Sequence, residues 1–297
     1  MSNTMCRSKI NYRGVGADGR PIDWMYSWNP GGFGCSMNCP GCWAHDMPFK
    51  GRGNGTGKCE KCQRFEVHLH PERLDQPLNT KKPGVVLCNF TSDTFDEKRS
   101  ESNIHDILVI VSEPHTSQHQ FVFLTKNAAR CKTMIANFPR IPPNWSIGLT
   151  LRNQFDTDQK LSTFLAIRGN LWLSLEPLWG PIMFDGVALL LGDLRRRPMT
   201  QSIKGVVIGH DNQRGAPGTD TLDYIRSAVK QCQEARIPVF IKQVWMMKCA
   251  RCEKHVEPMA LGMGCDCRNP VWRHVLVKDP AFFPADLRLR NLPWSAA

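Results

Sequence analysis

Three cysteines in the run GCSMNCPGCWAHDM, residues 34–47, stand at Cys35, Cys39 and Cys42, a C-x3-C-x2-C spacing. Three thiolates on a cubane iron–sulfur cluster leave one iron without a protein ligand, and that iron can bind and activate a substrate or cofactor. A zinc ion is the competing use of the same stretch, because Cys35, Cys39, Cys42 and His45 make a Cys3His set. The strands and helices that follow in the chain are not those of a small zinc module, which favours the cluster.

Other cysteines are also spaced for metal. Cys249 and Cys252 in KCARCEKH precede Cys265 and Cys267 in GCDC. Four thiolates in close pairs suit a structural zinc ion, which would hold together an insertion too small to fold alone. A second iron–sulfur cluster is the rival for these ligands. Cys59 and Cys62 in GKCEKCQRF, after the glycine-rich KGRGNGTG, form a possible second site, and the two insertions are expected on one face, able to meet in space. Cys6, Cys88, Cys131 and Cys232 stand alone in apolar or helical contexts and read as core or surface residues. An odd total of 13 cysteines, mostly in close pairs, fits metal binding in a reducing compartment better than a disulfide framework.

The elements that must position these groups alternate. GVVLCN (84–89), FVFLT (121–125), WSIGLTL (145–151), LWLSL (171–175), GVVIG (205–209) and PVFIK (238–242) read as buried strands. NIHDILVIVSE, NAARCKTMIANF, TDQKLSTFLAIRG and TLDYIRSAVKQCQEARI carry apolar residues three and four apart, the mark of amphipathic helices. Strand and helix in turn predict an α/β fold of parallel β-α units, which places ligand sites at the carboxyl ends of the strands. Polar residues fall at those ends: Asn89 with Ser92 and Asp93, Thr125 with Lys126, Arg152 with Asn153, Glu176, His210 with Asp211, and Lys242 with Gln243. Some of them also suit capping of the next helix.

The 297 residues fit one barrel-sized unit with insertions. The organisation expected is an N-terminal arm (1–22), a β/α barrel (23–246) with an insertion at about 50–64, a cysteine-rich zinc insertion (247–270) and a C-terminal tail packed on the barrel (271–297). The longest apolar stretch, VALLL, is too short to cross a bilayer, and the start lacks a signal-peptide pattern, so a soluble cytoplasmic protein is expected. Lys and Arg number 38 against 27 Asp and Glu, a formal charge of +11, which admits a polyanionic partner.

The C-x3-C-x2-C spacing after a first strand resembles the radical S-adenosylmethionine superfamily. In many members an aromatic residue precedes the last cysteine; here Gly41 precedes it and Trp43 follows. SWNPGGFGCSMNCPGCWAHDM, HLHPERLDQPL, NFTSDTF, LTKN, SLEPLWGPI, PVFIKQ and FPADLRLRNLPW resemble, in order and spacing, the phage-associated three-cysteine-motif family. That family has no settled function and is similar to the spore photoproduct lyase branch of radical S-adenosylmethionine proteins. The resemblance runs from about residue 23 to Trp294. It implies a radical-SAM-like (β/α) barrel, partial or complete, with small cysteine-rich metal-binding insertions. It implies a four-iron four-sulfur cluster on Cys35, Cys39 and Cys42, whose free iron chelates the methionyl amine and carboxylate of S-adenosylmethionine. One electron, from a donor protein, then cleaves that cofactor to a deoxyadenosyl radical. By the same resemblance Ser92 and Asp93 approach the cofactor's amine or ribose, with Asn89 a further candidate. Lys126, Arg152 with Asn153, and Glu176 could bind the carboxylate, the ribose or the substrate, Lys126 and Glu176 being the catalytic candidates. Gly209 and the Gly215 loop would let backbone approach the adenine.

Two classes of function follow. The first is a radical S-adenosylmethionine enzyme, with a nucleic-acid base as the expected substrate and a small molecule or a protein as the alternative. The second is a non-catalytic, metal-stabilised nucleic-acid-binding protein. Lys58, Lys61 and Arg64 around one cysteine pair, Lys248, Arg251, Lys254 and His255 around another, and Arg195–Arg197 motivate the nucleic acid. A charge run is more often a solvated face. No membrane partner is expected, and the oligomeric state is open.

Overall fold

Apolar runs that are buried on both faces form the strands. A computed structural model of the chain describes residues 3–294 apart from 11, 23, 46, 48–58, 139, 185–202, 212–220, 259–264, 266 and 268–269. Among the described residues β1 (Met25–Trp28), β2 (Val85–Cys88), β3 (Gln120–Thr125), β4 (Trp145–Thr150), β5 (Asn170–Leu175), β6 (Ile203–Gly209) and β7 (Val239–Cys249) lie side by side in chain order. Each runs parallel to the next. The crossovers carry α1 (Glu101–Ser112), α2 (Ala128–Ala136), α3 (Gln154–Leu165) and α4 (Thr221–Glu234). Ser100, Asn127 and Asn153 cap the first three of these, each side chain accepting from the N–H three residues on.

All six strands expected from the sequence form, and two features add to them. MYSW supplies β1, and β7 runs on past Lys242 to Cys249. The outer half of β7 pairs antiparallel with β8 (Trp272–Val277) and with the short strand His255–Val256. At the other edge Cys6–Arg7 pairs antiparallel with β1. Among the described residues none joins β1 to β7, and the fold is mixed α/β with a mostly parallel sheet. No helix among the described residues is long and apolar enough to cross a membrane.

Alternate residues divide the two faces of the sheet. Val86, Cys88, Phe121, Phe123, Ile147, Leu149, Leu173, Ile208 and Ile241 join a core with α1–α4. Met25, Val85, Leu87, Val122, Trp172, Val207 and Phe240 point the other way and meet Tyr12, Ile22, Leu292 and Trp294 from the two termini. Gly148 leaves room for the Trp172 indole, and Trp172 packs edge-to-face on Trp294 at 5.0 Å between ring centres. Backbone bonds hold this plug, with the Leu292 N–H donating to Val15 O and the Ala17 N–H to Trp294 O. The terminal arm and tail therefore cover the amino-terminal side of the inward face. The carboxyl-terminal side of that face is polar, with Thr150, Ser174, Glu176 and Lys242.

Candidate functional site

The three-cysteine loop leaves the carboxyl end of β1. Its glycines are required by close packing. The Gly31 N–H donates to Asn89 Oδ1 (2.9 Å), the Thr91 hydroxyl donates to Gly32 O (2.6 Å), and Gly34 bridges to Ser92. A Cβ at Gly34 would run into the Glu66 carbonyl. Ser36 donates both its N–H and its hydroxyl to the Asp96 carboxylate at 2.7 Å. From there Cys35, Cys39 and Cys42 follow on turns, all half-buried, with Asn38 and Gly41 at positive φ (43° and 64°). The left-handed backbone explains why a glycine and not an aromatic residue stands before Cys42.

Burial, with the Asp93 and Asp96 carboxylates nearby, pushes the Cys35 thiol well above its ordinary range. Arg99 lies beneath the loop, 1% exposed. Its Nη1 donates to His68 O (2.6 Å), its Nη2 to Ser92 Oγ (3.3 Å) and its Nε to Asp93 O (3.3 Å). This one guanidinium thus joins the HLHPERLDQPL segment to the NFTSDTF loop. Neither its charge run, DEKR, nor any spacing marked it in the sequence.

Several expected cofactor-binding residues have their polar atoms engaged inside the protein. Asn89, at φ 54°, holds Gly31 through Oδ1 and donates its Nδ2 to Thr94 Oγ1 (2.9 Å). Asp93 is buried; its Oδ2 accepts from the Thr125 hydroxyl and the Lys126 N–H, and its Oδ1 from the Phe95 N–H. Desolvation raises its carboxyl above the ordinary range, in part offset by those donors and by the Lys126 charge. Asn153 caps α3. Arg152 clamps Asp156 at 2.6 Å and lies over the Trp179 ring at 4.6 Å. These four shape the strand-end loops.

The polar groups on the inward face are different residues. Glu176 pairs with Lys242 at 2.6 Å, and Lys242 stands 4.9 Å above the Tyr12 ring. Gly209 packs against the Glu176 side chain. Thr150 and Ser174 are register partners on β4 and β5, both buried, and neither hydroxyl has a hydrogen-bond partner among the described residues. Lys126 is half-buried at the end of β3.

Elsewhere, two groups of side chains converge to single-ion spacing, with all ligand atoms within 4.8 Å of one another: Cys249, Cys252, Cys265 and Cys267, and Cys59, Cys62, His68 and His70. The first is the expected four-thiol set. Cys249 ends β7 in the middle of the hairpin to β8, so the sheet extension positions the site. Backbone N–H groups of Cys252 and Arg251 lower the Cys249 thiol to about 6, and hydrogen bonding to Cys252 raises Cys267 to about 12. Crowded thiols do not all ionise together unless a cation joins them. The second group corrects the sequence reading: Cys59 and Cys62 close on His68 and His70 and not on the other insertion. H-x-H six residues after a C-x2-C was the signal available.

The profile of a family described as "Protein of unknown function (DUF5131)" matches residues 20–269, from just before β1 through the four-thiol group. The chain belongs to the DUF5131 family. No curated protein and no solved structure matches it. In this DUF5131 chain Cys35, Cys39 and Cys42 do not fall within single-ion spacing among the described residues, unlike the other two groups. His45 is exposed and packs on Phe65 at 5.0 Å, so no Cys3His set is assembled. Cys88, Cys131 and Cys232 are buried core residues, with thiols pushed up by desolvation. Gly215, Lys58 and Arg195–Arg197 lie outside the described residues.

Proposed function

We propose that this chain is a radical S-adenosylmethionine enzyme, with Cys35, Cys39 and Cys42 holding a four-iron four-sulfur cluster at the mouth of a partial β/α barrel. The observation that carries the reading is topological. A three-thiol loop springs from the carboxyl end of the first of seven parallel strands laid down in chain order. The four described crossover helices pack on one face of the sheet and leave the other as the lining of a chamber. The terminal segments plug its amino end, as a closing strand would otherwise do.

The cluster, when bound, supplies one electron to S-adenosylmethionine, and the chain's own residues arrange the reactants. Asn89, Asp96 and Arg99 hold the cysteine loop against the sheet. Glu176 and Lys242 offer a paired carboxylate and ammonium on the inward face, suited to an amine, a carboxylate or a ribose hydroxyl. Thr150 and Ser174 offer hydroxyls that need partners. Lys126 and Glu176 are the candidates for contact with reacting groups.

Nucleic acid is the substrate class we favour. Lys61 and Arg64 flank one metal group, and Lys248, Arg251 and Lys254 the other, on a chain of formal charge +11. The test replaces Lys61, Arg251 and Lys254 together, so that both metal groups lose flanking charge. On duplex DNA log affinity falls against log salt by about 0.9 per phosphate contacted. The triple variant should flatten that slope without changing cleavage of the cofactor alone; an unchanged slope removes the nucleic-acid assignment. The enzyme assignment is tested by purification without oxygen. A brown protein with about four irons, lost on Cys39→Ala, supports it, whereas a colourless protein containing only zinc overturns it.

A further inference from the structure

We infer that Cys59, Cys62, His68 and His70 hold one zinc ion, and that this ion seats the glycine turn from which the three-cysteine loop departs. The four ligand atoms already have the spacing of a coordination tetrahedron. Zn–N bonds of about 2.0–2.1 Å and Zn–S bonds of about 2.3 Å put the nitrogens of a tetrahedral site about 3.3 Å apart, and nitrogen about 3.5 Å from sulfur. Here His68 Nε2 and His70 Nε2 are 3.0 Å apart. Cys59 Sγ stands 3.6 Å from His68 Nε2, and Cys62 Sγ stands 3.3 Å from each of the two nitrogens.

The outer partners determine which atoms face the centre. His68 Nδ1 lies 2.7 Å from Glu66 O, and a carbonyl only accepts, so Nδ1 carries the proton. His70 Nδ1 lies 2.9 Å from the Glu72 carboxylate, which fixes the same tautomer. In the neutral rings both Nε2 atoms are then lone pairs aimed at each other and at two sulfurs. Each thiol has one proton to offer four electron-rich atoms, and a cation resolves the crowding at every contact. Imidazoles anchored by a carbonyl or a carboxylate on the far nitrogen are the usual support of zinc ligands. Backbone N–H groups of Phe33 (3.4 Å) and Cys62 (3.5 Å) point at Cys62 Sγ and Cys59 Sγ.

The same ligands form the floor under the cysteine loop. Gly32, at φ 58°, sits so close that a Cβ there would lie 2.8 Å from Cys62 Sγ, His70 Cδ2 and His70 Nε2. The His70 N–H donates to Pro30 O at 2.7 Å, and the carbonyl of His68 takes the Arg99 guanidinium. Phe33 and Ala44, at the two ends of the cysteine loop, pack with Cys62 in one apolar cluster that Cys42 and Cys59 border. Ligand loss would therefore release both ends of that loop. The zinc assignment is independent of the proposed enzyme activity; the effect on the cysteine loop rests on it.

X-ray absorption at the zinc edge of the anaerobically purified full chain tests the first part. With both groups filled, about two zinc ions per chain should give an average set of three sulfurs and one nitrogen. Four sulfurs and no nitrogen would overturn the assignment, and this readout needs no variant. His70→Ala should lose one of the two ions, while His70→Cys should keep both and raise the sulfur share. Iron content of His70→Ala tests the second part. It should fall by roughly twofold or more, in keeping with the 10–100-fold that supporting groups contribute to metal affinity. Full iron in a chain that has lost this zinc would overturn the coupling and leave the cluster assignment standing.

Discussion

Gly32→Ala, paired with Gly19→Ala, separates the cost of a left-handed backbone from the cost of intruding on the metal group. Both glycines have positive φ, 58° and 78°, but a Cβ at Gly19 meets nothing within 4 Å, whereas at Gly32 it meets Cys62 and His70 at 2.8 Å. A left-handed conformation costs a non-glycine residue about 1–2 kcal/mol. The stiffer unfolded chain returns about 0.4–1 kcal/mol of that. Gly19→Ala should therefore lose about 0.5–1 kcal/mol. At Gly32 the intruding methyl adds overpacking of about 1–3 kcal/mol, because the His70 ring is held at Nδ1 by Glu72 and its backbone by Pro30. A difference of about 2 kcal/mol corresponds to roughly 3 °C in Tm for a chain of this size. Differential scanning calorimetry reads that gap, and zinc release to a colorimetric chelator should be faster in Gly32→Ala alone. Equal melting and equal zinc release in the two variants would refute the placement of Gly32 against a metal centre.

Arg99→Met should lower stability by about 3–5 kcal/mol in urea titrations, since it leaves Asp93 and Asp96 without their buried cation and three acceptors without donors; a loss under about 1 kcal/mol would mean that water replaces the guanidinium. Cys265→Ala should release the ion held with Cys249, Cys252 and Cys267 and lower Tm, because the metal's binding energy is folding energy for that hairpin; unchanged zinc content and melting would mean free thiols there. Asp156 is desolvated, which raises its carboxyl, but bonds from Arg152 and Lys160 prevail and hold it at about 2. A depressed carboxyl stabilises the fold above its unfolded value near 3.8 and loses that contribution as pH falls toward 2. Asp156→Asn should therefore cost about 1–2 kcal/mol at pH 7, after discount for the partly solvated partners. The gap to the unsubstituted chain should shrink below pH 4, and a gap independent of pH would contradict the assignment.

The strands were legible because both sheet faces are covered, so GVVLCN or PVFIK is apolar throughout, and the helices because their buried residues recur three and four apart. β1 was missed because its aromatic MYSW carries no aliphatic run. The extension of β7 is hidden because KQVWMMK shows no strand alternation; its buried residues, Gln243 with Val244 and Met246 with Met247, come in adjacent pairs. Spacing identified the four thiols from Cys249 to Cys267, which converge in the fold, since local ligand patterns survive in one dimension. His68 and His70 were visible only as part of a motif; what brings them to the two thiols is the turn that folds them back over Cys62. Arg99, the Glu176–Lys242 pair and the Thr150–Ser174 pair depend on contacts between distant segments or on burial of a charge that composition assigns to the surface. Asn89, Asp93 and Asn153 were found at the correct strand ends, but the structure turns their side chains to loop support.

The central claim is electron transfer to S-adenosylmethionine at the three-cysteine loop. Its most direct measurement is 5′-deoxyadenosine released by the reconstituted, dithionite-reduced chain in the absence of oxygen, alongside Cys35→Ala, Cys39→Ala and Cys42→Ala. The unsubstituted chain should release it together with methionine, and each variant should release none while keeping its zinc and its folded sheet. Release that persists in all three variants, or none from a chain carrying its full complement of iron, would contradict the account.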